Sequence, residues 1–149
     1  MQQVRLISVF WLIFGLALAP PAPAAEQEDS FVALQTNNPG FFSYVRRQEI
    51  EALTEVGPSH CVLLLSPKML FSPRKDVSAF EKCGSILEQL QGNNFISFPA
   101  ELGNLYVASH RIAEMVWISN SACHLVLESG KFVDAKESCN DVHKALPRE

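Results

Sequence analysis

Three histidines stand beside three cysteines: His60 precedes Cys61, His124 follows Cys123, and His143 comes four residues after Cys139. On one helix, a thiol and an imidazole four residues apart face the same way. Cys139 and His143 could then ligate zinc or act as a thiolate with its base. That chemistry needs a free thiol. The Cys-x-x-Cys and His-Glu-x-x-His spacings of dedicated metal sites are absent, so no resident metal or other cofactor is expected. Ser72-Pro73-Arg74-Lys75 has the Ser-x-x-Lys spacing of penicillin-interacting enzymes, but their companion Ser-Asp-Asn and Lys-Thr-Gly motifs are missing. The chain has no P-loop and no Gly-x-Ser-x-Gly elbow. No catalytic residue is assigned, and the reading leans away from an enzyme.

A second set of residues suits contact rather than catalysis. Met69, Leu70 and Phe71 are consecutive, flanked by Pro67 and Pro73 and accompanied by Lys68, Arg74 and Lys75. Prolines limit the entropy lost on docking, and Met and Phe are enriched at interfaces. Lys68, Met69, Leu70, Phe71 and Arg74 are therefore the candidate partner-binding residues. The alternative is that the three apolar side chains tuck under the core.

The compartment follows from the N-terminus. Met1 to Arg5 carry one positive charge, Leu6 to Ala19 are apolar, and Pro20 to Ala25 are small residues and prolines, the layout of a secretory signal peptide cleaved near Ala24. The apolar run is shorter than a bilayer core requires, so no membrane insertion is expected after cleavage. A secreted or periplasmic location follows, and four cysteines in an exported chain read as two disulfides. The chain has 12 basic and 16 acidic side chains. Losing residues 1–24 removes Arg5 and no acid. That acidic balance argues against nucleic acid, and the expected partner is another exported or envelope protein.

The elements that must position these residues read as a mixed fold. Phe42, Val45, Ile50, Leu53 and Val56 recur at roughly helical spacing, as do Val77, Phe80, Cys83, Ile86, Leu87 and Leu90. Cys61 to Leu65 and Cys123 to Leu127 read as buried strands, and Lys131 to Leu146 as a last helix. Between Pro99 and Trp117 a helical face is favoured. The runner-up is a β-meander across 95–128 with flanking helices. The expected fold is α+β, a small single domain with a short buried sheet packed by three to four helices. Its expected limits are a signal segment at 1–24, a flexible acidic leader at 25–38 and a stapled globular domain at 39–146.

An internal repeat sharpens this. Lys75, Val77, Ala79, Glu81 and Cys83 recur as Lys131, Val133, Ala135, Glu137 and Cys139, and Cys61, Leu63 and Leu65 recur as Cys123, Leu125 and Leu127. Side chains two apart on a strand share a face, so each strand cysteine is placed toward the helix that follows. The favoured pairing is Cys61 with Cys83 and Cys123 with Cys139; four cysteines permit two others. The expected function is an exported protein-binding or accessory module working through its apolar-basic loop. The alternative is a small exported thiol- or metal-dependent enzyme or metal carrier using the Cys/His pairs, Cys139 with His143 and Cys123 with His124.

Overall fold

The computed structural model of the protein describes residues 31–66, 76–90 and 94–147. Short runs of Val, Ile, Phe and Leu are cut by turn residues before a helix can nucleate, and strands result. The first seven elements are β1 (Phe31–Gln35), β2 (Phe42–Arg46), a 3-10 turn (Arg47–Glu49), β3 (Ile50–Gly57), β4 (His60–Leu65), β5 (Val77–Ala79) and α1 (Cys83–Gln89). The next seven repeat that order: β6 (Phe95–Pro99), β7 (Asn104–Ala108), a 3-10 turn (Ser109–Arg111), β8 (Ile112–Ser119), β9 (Ala122–Leu127), β10 (Phe132–Ala135) and α2 (Cys139–Ala145).

The repetition extends to single hydrogen bonds. Phe80 N–H donates to Gln35 C=O at 2.8 Å, and Lys136 N–H donates to Pro99 C=O at 2.8 Å. Ser66 N–H bonds Glu49 C=O, and Glu128 N–H bonds Arg111 C=O at the matching place. Irregularities interrupt β3 between Ile50 and Ala52 and between Glu55 and Gly57, and they recur in β8 between Ile112 and Glu114 and between Trp117 and Ser119. The molecule is two copies of one supersecondary unit.

Three antiparallel sheets stack as layers, in the orders β1-β2, β5-β4-β3-β7-β6 and β10-β9-β8. The middle sheet crosses the boundary between units, because β7 of the second pairs with β3 of the first. One core lies between β1-β2, α1 and the middle sheet, and includes Val32, Leu34, Leu53, Leu63 and Ile86. The other lies between the middle sheet and β8-β9-β10, and includes Ala52, Leu64, Phe98, Leu125 and Val142. β3 and β4 thus feed side chains to both cores.

This arrangement corrects the α+β expectation of a sheet packed by three to four helices. Among the described residues there are two helices of seven residues each, and the rest of the framework is strand. Neither the favoured reading nor its runner-up describes three stacked sheets. The helical periodicity has a physical source. Burial on both faces removes the strict alternation of a strand, and a bulge at Glu51 shifts it by one, so Ile50, Leu53 and Val56 fall three apart. The acidic stretch 25–38, expected as a flexible leader, contains β1, whose Val32 and Leu34 are fully buried. The expected signal segment at 1–24 lies outside the described residues.

Each unit carries its own staple. Cys61 is bonded to Cys83 and Cys123 to Cys139, with Cα separations of 5.1 and 4.8 Å, each joining a strand to the first residue of the following helix. Ser138 caps α2, its hydroxyl accepting the Asp141 N–H at 3.2 Å. Closing loops of 22 and 16 residues stabilises each unit by about 3 kcal/mol in the chain-entropy model. Replacing Cys123 and Cys139 together by Ser should lower the melting temperature by roughly 10 °C or more, measured by calorimetry. The unreduced native chain should show no titratable thiol.

Candidate interaction surface

The residues singled out for thiol or metal chemistry do not form such a site. The Cys139 sulfur is bonded to Cys123, so it offers His143 no thiol. No group of three or more His, Cys, Asp or Glu side chains could hold a metal ion among the described residues. His60 stacks on Phe80 at 4.9 Å. His124 lies against Phe132 at 4.3 Å, with Nδ1 2.6 Å from Asp134 Oδ1. Both histidines sit on strand faces with aromatic neighbours. Lys68, Met69, Leu70, Phe71 and Arg74 lie outside the described residues.

The surface is instead marked by strands left half-covered. β3 and β8 are equivalent strands in the two units, yet their surroundings differ. β3 pairs with β4 on one side and β7 on the other, and its residues Ile50 to Leu53 are buried. β8 pairs with β9 alone, and its other edge has no strand beside it among the described residues. Along this edge Val116, Trp117 and Ile118 are 41, 65 and 48% exposed. Eight residues with one charge, Glu114, and no proline or lysine make an unguarded edge, the kind that pairs with other chains.

A matching situation exists at the opposite end. β2, the counterpart of β7, pairs only with β1 among the described residues. The outward face of that hairpin shows Phe31 at 52% and Tyr44 at 66% exposure, with Phe41 and Phe42 beside them. The Arg46 guanidinium lies 5.6 Å from the Phe31 ring centroid, a cation–π contact. Motif reading missed these residues, which carry no motif. Extending the repeat upstream of Cys61 would have found them, because Phe31 and Tyr44 recur as Phe95 and Tyr106.

Polar contacts seal the joint between units. Glu55 on β3 accepts hydrogen bonds from Asn104 N and Nδ2 at 2.9 and 3.1 Å and from the Tyr106 hydroxyl at 3.3 Å. Gly103 makes room for this carboxylate: it has φ +149°, and a Cβ there would come within 2.7 Å of Glu55. Glu51, fully buried at the bulge of β3, accepts from the Ser129 hydroxyl in the β9–β10 turn. Arg111 bridges Glu128 at 2.7 Å and the Gln48 carbonyl at 2.8 Å. A hollow of about 310 Å³ opens beside this joint, lined by Glu55, Leu102, Leu105, Phe132 and Asp134. Its Glu55 is already committed to Asn104 and Tyr106.

No family model matches the chain, and no curated protein matches it. Among solved structures it is similar to the LytTr DNA-binding domain of a protein described as a methyl-accepting/DNA response regulator from Bacillus cereus. That match has a TM-score of 0.54 at 15% identity, covering 80% of this chain and 98% of that one. The likeness assigns the fold, a LytTr-like arrangement of three sheets. It also corrects the exclusion of nucleic acid: a domain with this fold is described as DNA-binding, and a whole-chain charge balance does not describe any single face.

The joint has a titration signature. Burial raises the Tyr106 pKa above the usual phenol range, and the negative charge of Glu55 and the hydrogen bond to it raise it further. A phenol whose folded pKa is raised contributes stability that is present below its unfolded pKa and lost as pH climbs through the folded value. Ultraviolet titration should find one late-ionising tyrosine, brought closer to the ordinary value by Glu55→Gln. Denaturation midpoints should fall on the alkaline side of the ordinary phenol pKa.

Proposed function

We propose that this chain is an exported binding module without catalytic activity, and that it takes an extended polypeptide as an added strand along the open edge of β8. The observation that carries this reading is the contrast between β3 and β8, one strand duplicated, with its second neighbour present in one unit and lacking in the other among the described residues. Strand addition draws affinity from main-chain hydrogen bonds and selectivity from alternate side chains, and Val116, Trp117 and Ile118 supply apolar contact area. Export is supported by the signal-like residues 1–24 and by two disulfides, bonds that persist in oxidising compartments. The Lys68–Arg74 segment remains a second candidate contact. A nucleic-acid partner is the second reading, favoured by the fold likeness.

Peptide selection on the immobilised, oxidised protein checks the proposal. The expected ligands alternate apolar residues, lose binding when alternate backbone amides are N-methylated, and bind the Val116→Lys protein roughly tenfold or more weakly. Ligands that bind this variant undiminished, or that tolerate N-methylation, would sink the reading. Duplex DNA bound with an affinity that falls steeply with added salt would support the nucleic-acid reading instead.

A further inference from the structure

We infer that the strand received by β8 is β2 of a second copy of this chain, so that copies join head to tail. This rests on the strand-addition reading above and names its partner. The molecule already contains the proposed joint once. β7 lies on β3 with Ala52 opposite Val107, Leu53 opposite Tyr106 and Thr54 opposite Leu105. The two strands that correspond to this pair, β8 for β3 and β2 for β7, are the ones left without a second neighbour among the described residues. Carried over by repeat position, the register between copies sets Glu114 opposite Val45, Met115 opposite Tyr44 and Val116 opposite Ser43. The bulges permit it, since those of β3 flank its paired stretch Ala52–Thr54 and those of β8 flank Glu114–Val116 in the same way.

Side chains support the same partner. Phe95 and Tyr106 on the β6-β7 hairpin pack, partly buried, against the core of the first unit. Their counterparts Phe31 and Tyr44 keep both residue types on the β1-β2 hairpin and stand more than half exposed. In the inferred joint Tyr44 docks on the edge of the second unit's core at Met115. Trp117, which takes the place of Glu55, lies diagonal to Tyr44 and forms a cross-strand aromatic pair where the internal joint has a hydrogen bond. Each copy offers one β2 and one β8, a heterologous contact that builds a ring or an open chain rather than a closed twofold dimer.

Sedimentation velocity of the oxidised protein over a concentration series tests this, with Trp117 emission as a second readout. Association should grow beyond a dimer and shift that emission to the blue. Tyr44→Ser and Val116→Lys, both at exposed positions, should each weaken association roughly tenfold or more while leaving the melting temperature of the monomer near that of the parent. Mixed together, these two variants should form a dimer that grows no further, because one supplies an intact β8 and the other an intact β2. A protein that stays monomeric at every concentration overturns the inference, as does a mixture that fails to complement. If selected peptides still bind β8 in that monomer, the strand-addition reading survives alone. If copies assemble and complement while no peptide binds, the self-association stands without it.

Discussion

The hydrogen bonding of β7 onto the edge of β3 is the interaction on which the rest of the structure depends. It converts a three-stranded and a two-stranded piece into the five-stranded middle layer. Only with that layer formed can β3 and β4 serve two cores, with Leu53 and Leu63 on one side and Ala52 and Leu64 on the other. Pairing on both edges satisfies the backbone of β3 across its paired stretch, so both faces of the strand can be buried. Glu55 reinforces the joint from β3, and Gly103 gives it room.

The two units have diverged in a way that fits their different positions. Ala52, Val62 and Ser78 line the face of the first unit turned toward the second, whereas the same positions in the second unit are Glu114, His124 and Asp134. Polar replacements suit a terminal face, as the outermost members of repeat arrays show. On the same face Val116, where the first unit has Thr54, and Ile118 are apolar and exposed. The apolar area of this face thus lies along the β8 margin, beside the polar groups Glu114, His124 and Asp134.

Part of this was legible in the residues. The recurrence of Cys61, Leu63 and Leu65 as Cys123, Leu125 and Leu127 marks β4 and β9, and the recurrence of Val77 to Cys83 as Val133 to Cys139 marks the short strand and helix start that follow. The upstream half carries a helical spacing because Glu51 and Ala113 sit at bulges that reset the alternation, and because β3 is buried on both faces. β5 and β10 leave no trace of their own in the pattern, since three or four residues are too few to show a period. The exposed edges could not be read at all, because which strand lacks a neighbour depends on which strands pair, and pairing is a long-range property.

Both disulfides lie inside a unit, and among the described residues none crosses from one unit to the other. The molecule is therefore unevenly fastened with respect to mechanical load. A force that separates the units meets the short β3–β7 ladder, the side-chain contacts around Glu55, Glu51 and Arg111, and the second core. Within each unit the covalent bond ties only the stretch from its central strand to its helix, Cys61 to Cys83 and Cys123 to Cys139. Under tension these two closed stretches cannot extend, whatever gives way around them.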